Sequence, residues 1–408
     1  MKRTIHISLF LAFVVAMISA CGEDRTHEYY EKTEENQWTY SKMRDVYLWR
    51  DKIKEPSRTT FFSTPSKFFS TILNNSDKAS YFTDTLSSGS YGMTFALMRD
   101  PIGVRPSKVY ALVLMVEPGS PADIAGVERG TWISSVRGSA LTTSKTSLLQ
   151  SGGSTRLVTE YIEHDDDTQK DIWISGDTLQ LGAATDYNEQ AIQLDTIYSE
   201  RSKRIGYLLV NNFNGEGFIN DAQSALLRFA ANNVSDVVID LRYNSGGSIA
   251  NAVSLASSFV APELYGSTFC NLVNAYGETD TTYCYSAQQT SLYEKRLHII
   301  TGARTTGTAE LFTAALNTSR PMYDLMTFGA KSAGSSLVTK SFESPYGFII
   351  NPATNYMALE NGDILTAISP DFQLDELKLI ENIHTLGSGQ EYILYNIVYY
   401  ITNGSMPE

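Results

Sequence analysis

The residues best placed to do chemistry form one eight-residue string, Asp240 to Gly247, which reads Asp-Leu-Arg-Tyr-Asn-Ser-Gly-Gly. It continues an apolar run, Val237 to Ile239, that is typical of a short buried strand. The paired glycines at its end carry no side chains, so backbone N–H groups there can approach a substrate closely. By itself, a Gly-Gly after a strand is more often an ordinary turn, and the string gains meaning only from its context.

That context begins with a second string upstream, Val116 to Gly130. It predicts a turn at Pro118-Gly119 and then a short helix with Pro121 in its first turn, where the missing N–H costs nothing. Gly126 should end this helix, because glycine tolerates positive φ. The string is similar to the corresponding segment of PDZ domains in processing proteases, which usually have Gly-Asp where this chain has Gly130-Thr131.

Taken together, the two strings resemble peptidase family S41, the C-terminal processing (tail-specific) serine proteases, whose signature is Asp-Leu-Arg-x-Asn-x-Gly-Gly. Ala367 to Asp371 resembles the family's Gly-Ile-x-Pro-Asp turn, so the likeness covers roughly residues 40 to 400. It implies that backbone amides of Gly246 and Gly247, together with that of Thr308, form the oxyanion hole of a serine peptidase.

The resemblance also implies where a serine nucleophile and a lysine base should lie. The family has the serine at a helix start, within Ser-Ala-x-Glu, and the lysine some 25 residues later. A desolvated lysine can be neutral near pH 7 and accept the serine proton. Here the matching positions hold Gly307, followed by Thr308-Ala309-Glu310, and Ser335. Glycine offers no nucleophile, and serine has no proton-accepting form at neutral pH, so the catalytic dyad is predicted to be lost.

Three alternatives to a lost dyad remain open. Thr308 could act as nucleophile with Lys331 as base, but adjacent residues at a helix start point about 100° apart, and Lys331 comes four residues early. A Ser/His/Glu arrangement would need a well-placed histidine, and His164, His298 and His384 are the candidates in or after the PDZ-like segment. Finally, the register of the dyad positions could differ by a few residues.

A possible peptide-binding loop precedes the Val116 string. Tyr91, Gly92, Met93, Thr94 and Phe95 resemble the carboxylate-binding loop of PDZ domains, with Thr94 in place of a usual glycine. In such loops backbone N–H groups hold a terminal carboxylate, and the next strand edge accepts the peptide by β-augmentation. A PDZ-shaped spacer without a peptide site is the competing interpretation.

The pattern of apolar residues predicts a mixed α/β multidomain protein. We expect a small helical N-terminal domain, a β-rich PDZ-like module and a protease core of the ClpP/crotonase-like α/β type. The core should contain a βαβ unit, a helix near 249–260, a hairpin over 266–285, a strand at 298–300, a helix over 308–317 and a strand from Tyr323 to Phe328. The predicted divisions are 1–20 signal peptide, 21–42 tether, 43–90 helical domain, 91–185 PDZ-like domain and 190–400 protease core.

The N-terminus has the features of an export signal. Lys2 and Arg3 precede an apolar run that ends at Ser19-Ala20-Cys21 and is short for a membrane span. The ending resembles the bacterial lipobox, which implies that Cys21 is lipidated, and Gly22-Glu23-Asp24 resembles the surface-export tag of Bacteroidetes lipoproteins. An outer-membrane lipoprotein facing the cell surface or the periplasm is therefore predicted.

Charge limits the partners. The formal net charge is −13, and it becomes more negative when Lys2 and Arg3 are removed with the signal peptide. Such a chain repels phosphate backbones and anionic headgroups. We therefore expect no nucleic-acid partner, and membrane contact through the lipid alone.

Two further cysteines, Cys270 and Cys284, flank Gly277 at equal distances, as opposed residues of a hairpin would. In an oxidising compartment they are predicted to form a disulfide, with two buried free thiols as the alternative. Their spacing does not suit a zinc site, and no metal or organic cofactor is predicted.

These observations lead to one principal hypothesis and two rivals. The principal one is a pseudo-peptidase that binds peptides or unstructured protein C-termini without cutting them. The rivals are a serine-type endopeptidase with an unconventional dyad and a structural component of an envelope complex.

Overall fold

The computed structural model describes residues 26–84, 89–187, 189–320, 324–378, 380 and 383–407. The helices are α1 (Thr26–Val46), α2 (Pro65–Ile72), α3 (Pro121–Ile124), α4 (Phe218–Ala231), α5 (Ile249–Ser257), α6 (Thr308–Ser319) and α7 (Tyr392–Asn403). The strands are β1 (Tyr81–Asp84), β2 (Met93–Arg99), β3 (Val109–Val116), β4 (Trp132–Val136), β5 (Ser139–Ala140), β6 (Thr155–Asp165), β7 (Lys170–Leu181), β8 (Ile192–Glu200), β9 (Lys203–Val210), β10 (Asp236–Asp240), β11 (Thr268–Val273), β12 (Thr279–Cys284), β13 (Arg296–Thr301), β14 (Leu325–Gly329), β15 (Leu337–Thr339), β16 (Phe342–Glu343), β17 (Phe348–Asn351), β18 (Ala353–Ala358) and β19 (Phe372–Gln373). Within these described ranges, no helix has the length and apolar character needed to cross a membrane. The predicted signal peptide and Cys21 lie outside the described residues.

The chain divides into two compact units. The first contains the described residues 26–84 together with 339–354, and its helix α2 buries Phe68, Phe69 and Ile72 as the helical pattern of this region predicts. A sheet of order β1-β17-β16 completes the unit. Strands β16 and β17 were assigned to the protease core by the sequence, and this boundary is wrong because β17 pairs with β1 across more than 260 residues, from Tyr81↔Asn351 to Asp84↔Phe348.

The predicted tether is also wrong over most of its length, because α1 is a helix from Thr26 to Val46. Its buried face carries Thr33, Asn36, Thr39 and Met43, at helical spacing. Three of these four residues are polar, so an apolar periodicity could not reveal the helix. Asn36 shows how the polar face is satisfied, since its amide donates to backbone carbonyls 25 and 27 residues away.

The second unit holds both the β-rich module and the protease core. The β-rich module, residues 89–187, is an antiparallel sheet of order β2-β3-β4-β6-β7, with β5 beside β4. Its short helix α3 begins where the sequence predicts: Ser120 caps it by accepting a hydrogen bond from the Asp123 N–H, and Pro121 is its first residue. Gly126 follows at a φ of +78°, as expected of the residue that ends such a helix.

The core is a six-stranded sheet of order β19-β14-β13-β10-β9-β8, parallel except for β8. The predicted βαβ unit is formed by β9, α4 and β10, and the later helices and strands follow within a few residues of their predicted positions. All five residues of β10 are buried, as a central strand covered on both faces requires.

The hairpin of β11 and β12 is present as predicted, with Gly277 in its turn at a φ of +79°. The disulfide prediction is wrong, since both cysteines are free thiols, Cys270 buried and Cys284 exposed. The hairpin turn is centred on Tyr276, and with two register shifts along β11 Cys270 lies opposite Tyr283, and Cys284 lies opposite Thr268. Symmetric spacing about a turn therefore did not make the two cysteines direct cross-strand partners.

Candidate active site

Three loops that carry the predicted site residues leave the same edge of the core sheet. They follow the neighbouring parallel strands β10, β13 and β14 and comprise residues 241–247, 302–307 and 330–335. Parallel strands place their carboxyl ends together, which is where open α/β sheets form their sites. The glycine pair, Gly307 and Ser335 therefore lie at one edge, although each was identified from a separate string.

The first loop is shaped by Asn244, which is fully buried. Its side-chain amide donates to the Val210 carbonyl at 2.9 Å, and its side-chain oxygen accepts the Gly246 N–H at 2.8 Å. Its backbone carbonyl also accepts the Thr306 N–H at 3.1 Å, which ties the first loop to the second. One asparagine thus fixes the turn, and it removes the Gly246 N–H from the predicted oxyanion donors.

Both glycines of the pair are required by their backbone conformation and by close neighbours. Their φ angles are +96° and +125°, a region that side chains disfavour. A Cβ on Gly246 would lie 3.3 Å from the backbone nitrogen of Thr308, and one on Gly247 would lie 2.7 Å from the Asn214 side-chain oxygen. The glycine turn is therefore packed directly against the first residue of α6.

Two backbone N–H groups remain available at this contact, those of Gly247 and Thr308. No hydrogen-bond partner is found for either among the described residues, whereas the Thr308 hydroxyl donates to the Gly247 carbonyl at 2.8 Å. Free N–H groups at a glycine turn and at a helix start are the donors from which a backbone oxyanion hole is built. Of the three predicted oxyanion residues, the geometry retains Gly247 and Thr308.

A single carboxylate joins the two predicted dyad positions. Glu310 is fully buried on α6, and its Oε2 accepts the N–H of Gly307 at 2.9 Å and the N–H of Ser335 at 2.8 Å. Its Oε1 accepts the Gly334 N–H at 2.6 Å and the Ser332 hydroxyl. The backbone nitrogens of Gly307 and Ser335 are thus within two hydrogen-bond lengths of each other, and the resemblance implies that these two positions lie close together.

The two positions do not carry the serine and lysine that the family resemblance expects. Gly307 adopts a φ of +59°, and a Cβ built on it would meet no atom within 4 Å, so the space next to it is empty. Ser335 is partly buried, and its hydroxyl has no hydrogen-bond partner among the described residues. A lone serine hydroxyl without a base nearby is a weak nucleophile.

The substitute pair Thr308 and Lys331 does not form. The Thr308 hydroxyl is nearly buried and is used in its bond to the Gly247 carbonyl. Lys331 is exposed, while its neighbour Ser332 points inward to Glu310. No hydrogen bond joins the Lys331 ammonium to the Thr308 hydroxyl among the described residues.

The histidine alternative fails as well. His298 is buried in the sheet, with its Nε2 3.0 Å from Asp236 Oδ1, and burial lowers its pKa, which favours the neutral ring. His164 is exposed and faces Asp171 across the β6–β7 pair. Neither these two nor His384 lines the cavity at the glycine turn.

That cavity has a volume of about 450 Å³ and extends from Ser245, the residue before the glycine pair, to the central part of the predicted peptide loop; Gly247 and Thr308 are not among its lining residues. Ser245, Thr306 and Ala333 line it from the three core loops. The same core loops also contribute Tyr243, Ala303 and Arg304, and Asn211 follows β9. From the β-rich module and its flanks come Ser90, Gly92, Met93, Thr94, Met115, Glu117, Tyr187 and Glu189. No histidine or lysine is among the lining residues.

The predicted peptide loop contributes only its central part to the cavity. Tyr91 is buried, with its N–H bonded to the Gln150 carbonyl and its hydroxyl to the Gly153 carbonyl. The Gly92 N–H donates to the Ser90 hydroxyl at 3.0 Å. Because two of the loop's N–H groups are already used, the loop does not present the open set of donors that a terminal carboxylate needs.

Phe95 takes no part in lining the cavity, since its ring is buried in the module. Its backbone carbonyl lies on β2, which is an edge strand, and accepts a hydrogen bond from Arg304 at 2.5 Å. The edge on which a peptide could add by β-augmentation is therefore present, with one of its carbonyls bonded to the core.

Behind the glycine turn lies an ion-pair network centred on Arg242. This side chain is fully buried and forms a two-pronged bond with Glu391, at 2.8 and 3.0 Å. Its other partners are Asp240, at 2.8 Å, and Glu376, at 3.2 Å. Sequence reasoning included Arg242 in the signature string but missed both glutamates, which lie more than 130 residues further on.

The same network ties the β-rich module to the core. Arg129, at the end of the PDZ-like string, donates to Glu376 at 2.7 Å and to the Tyr243 hydroxyl at 2.6 Å. It also donates to the backbone carbonyl of His384 at 2.8 Å. The residue next to Arg242 in the signature is thus held by a residue of the module.

Electrostatics keep the network charged. Burial alone would raise the pKa of Glu391, but the charge of Arg242 outweighs it and lowers the pKa to about 2. The pKa of Glu376 is also lowered: burial opposes this, and the charges of Arg242 and Arg129 prevail. The two glutamates therefore remain ionised at every physiological pH.

The pKa of Glu117, on the wall of the cavity, is raised rather than lowered. Burial raises its pKa to about 7, with a further contribution from the negative charge of Glu189, and the bond from the Asn211 amide only partly offsets this. Its second oxygen is buried and meets no donor at full hydrogen-bond geometry among the described residues. The cavity thus contains a carboxyl group that no cation of the described chain neutralises.

The fold and this edge define a class: an α/β core in which a glycine turn and a helix start present unpaired backbone N–H groups. Comparison with known proteins gives the family. The model of peptidase family S41 matches residues 204–374, and the model of the peptidase S41 N-terminal domain matches residues 34–83. The chain belongs to peptidase family S41.

Two curated relatives illustrate the likeness. A carboxyl-terminal-processing protease of Picosynechococcus is 26% identical over 251 residues, which cover 60% of this chain. A CtpA-like serine protease of Staphylococcus aureus is 20% identical over 302 residues, or 71% of this chain. In each case the match spans only 56% of the relative's length.

Solved structures share the fold. An S41 protease assigned in Bacteroides fragilis has a TM-score of 0.75 and 22% identity, over 90% of this chain and 97% of that one. The photosystem II D1 C-terminal processing protease has a TM-score of 0.54 and 18% identity, over 88% of this chain and 99% of that one. At these identities the likeness concerns the architecture.

Proposed function

We propose that this chain is a pseudo-peptidase, a member of the S41 family that binds peptide segments in the cavity at the glycine turn and does not cut them. The main support for the proposal is that the backbone N–H groups of Gly307 and Ser335 both donate to the same oxygen of Glu310. They occupy the places where the family resemblance expects a serine and a lysine, and neither supplies a nucleophile with a base.

Binding is supported by what surrounds those two positions. The cavity of about 450 Å³ has the size of an ordinary ligand site. Free N–H groups of Gly247 and Thr308 offer donors for a peptide carbonyl, and the edge strand β2 offers backbone partners. An unstructured segment or a protein C-terminus fits such a surface, because its backbone groups are available for bonding.

Filling the cavity should abolish peptide binding. Ala333 lines the cavity and its side chain is exposed, so Ala333→Trp would occupy the space without disturbing a packed core. We expect a loss of at least about tenfold in affinity, the equivalent of about 1.4 kcal/mol. Fluorescence anisotropy with labelled unstructured peptides, selected for binding to the wild-type chain, measures this.

The matched control is Ala140→Trp, which places the same side chain at an exposed alanine outside the cavity. It should bind as the wild type does. Equal binding by both tryptophan variants would contradict a peptide site in this cavity.

We further propose that the mature chain is an outer-membrane lipoprotein anchored at Cys21, as the lipobox-like sequence supports. The acidic net charge gives the protein body no attraction to anionic headgroups. Cys21→Ala should therefore release a folded protein into the soluble fraction, measured by fractionation of the producing cells. A variant that still sediments with membranes would reveal a contact other than the lipid.

A further inference from the structure

The cavity wall contains a carboxylate with no counter-charge in the described chain. Glu117 is only 4% exposed, and one of its oxygens accepts a hydrogen bond from the Asn211 amide. The Gln190 backbone N–H also acts on this carboxyl group, but the second oxygen meets no donor at full hydrogen-bond geometry among the described residues, although Glu117 lines the cavity. A buried acceptor of this kind is costly unless a ligand satisfies it.

The surroundings of Glu117 are acidic. Glu189 lines the same cavity, and the only side-chain hydrogen bond found for it among the described residues comes from the Asn212 amide at 3.3 Å. A neighbouring cavity of about 590 Å³ shares Glu189 and adds Glu216 and Asp221. Carboxylates therefore continue from one cavity into the next.

One cation, Arg304, also lines the first cavity. Its guanidinium donates to the backbone carbonyl of Phe95, and no ion pair joins it to Glu117 or Glu189 within the described residues. The remaining titratable groups on the wall are Tyr187 and Tyr243. Burial, followed by the charges of Glu189 and Glu117, raises the pKa of Tyr187, and burial, followed by the charge of Glu376, raises the pKa of Tyr243. Negative charge therefore predominates on the wall around Glu117.

From this arrangement we infer that the peptide bound in the cavity presents a basic group, an ammonium or a guanidinium, to Glu117 and Glu189. The inference rests on the proposed peptide binding and specifies its ligand class. The described residues contain no group of three acidic, histidine or cysteine side chains that could hold a metal ion, so an organic cation suits this pair of carboxylates better. A lysine or arginine side chain and a free peptide N-terminus share the required chemistry.

Binding of such a group should depend on pH. Glu117 has a pKa of about 7, raised by burial and by Glu189, so it is only partly ionised at neutral pH. A bound cation favours the ionised form, and affinity should therefore rise from pH 6 to pH 8. Glu117→Gln should remove this dependence.

The test uses the mature chain and two libraries of ten-residue peptides. The first has acetylated N-termini, amidated C-termini and all residue types. The second has free N-termini and lacks lysine and arginine. Peptides retained by the immobilised protein are sequenced by mass spectrometry. We expect lysine or arginine to be enriched about tenfold in the first library, the factor corresponding to one charge-assisted hydrogen bond.

The variants identify the residue responsible. Glu117→Gln should abolish the enrichment, and Glu189→Gln, an exposed position that should fold normally, should reduce it. Glu163→Gln changes an exposed glutamate on β6 outside both cavities and should have no effect. If peptides of the second library are retained and Glu117→Gln abolishes that retention, the bound cation is the free N-terminus of the peptide.

Two outcomes would overturn the inference, and they are distinguishable. If peptides of the first library are retained without basic enrichment and retention of the second library does not depend on Glu117, or if the enrichment survives both glutamate substitutions, the proposed function would stand and the cation site would be refuted. Failure to retain any peptide from either library would refute the proposed peptide binding and this inference with it.

Discussion

Replacing Arg242 with methionine should destabilise the protein by about 3–5 kcal/mol, because it leaves buried carboxylates without their counter-charge. Asp240 and Glu391 are both buried beside it, and Glu376 is nearly so. The loss should be smaller at low pH, since the pKa of Glu391 is about 2 in the folded protein and near 4.5 when unfolded. The contribution of the Arg242–Glu391 ion pair to stability is complete above pH 4.5 and decreases as the pH falls toward 2.

Urea unfolding at pH 7 and at pH 3 measures both effects. Arg228→Met is the matched control, because Arg228 pairs with Asp195 while half of its side chain remains exposed. Exposed pairs contribute less than about 1 kcal/mol, so the control should differ little from the wild type. If the Arg242 variant were as stable as this control, the network would not support the glycine turn as described.

The second large effect concerns covalent chemistry at the dyad positions. A fluorophosphonate, which reacts with activated serines, should leave the wild-type chain unlabelled. Removal of a serine nucleophile or its base lowers catalysis roughly a million-fold in a well-studied serine protease. The double variant Gly307→Ser with Ser335→Lys should regain slow labelling, and neither single change should suffice, because nucleophile and base act as a unit.

The geometry makes this restoration worth attempting. A Cβ on Gly307 would meet no atom within 4 Å, so a serine has room. The φ of +59° disfavours a side chain, which should keep the recovered rate low. Stoichiometric labelling of the wild type, removed by Thr308→Val or Lys331→Met, would instead show that the unconventional pair works.

Much of the core could be predicted from the sequence, because it depends on local signals. The apolar strand before Asp240, the amphipathic helix over Phe218–Ala231 and the Pro-Gly and Gly turns all carry their conformation in a few neighbouring residues. Once parallel strands are recognised, their shared carboxyl edge follows. The expectation that Gly246-Gly247, Gly307 and Ser335 lie together came from the family resemblance, and the shared carboxyl edge of β10, β13 and β14 accounts for it.

The features that the sequence did not predict depend on residues far away in the chain or on buried polar side chains. Helix α1 buries Thr33, Asn36 and Thr39, and a polar buried face carries no hydrophobic period. The partners of Arg242 are 134 and 149 residues away. A buried arginine demands carboxylates, but no spacing in the sequence identifies which ones.

The cysteines and the peptide loop show a further limit. The hairpin is centred on Tyr276 rather than Gly277, and the register shifts twice along β11, so equal spacing about Gly277 did not identify the cross-strand partners. Gly92 resembles a carboxylate-loop residue, yet its N–H is used by Ser90. A motif describes residue types, and only the structure shows which donors are already bonded.

The most direct test of the central claim is the fate of a bound peptide. The purified mature chain is incubated with a mixture of unstructured peptides, washed and eluted, and the masses of bound and unbound peptides are compared with those of the starting mixture. If the protein holds peptides at the glycine turn and has no catalytic dyad, the retained peptides should have unchanged masses. Ala333→Trp should lower the amount of peptide retained. Peptides cleaved by the wild type, with cleavage that persists through rigorous purification and is abolished by Ala333→Trp, would contradict it.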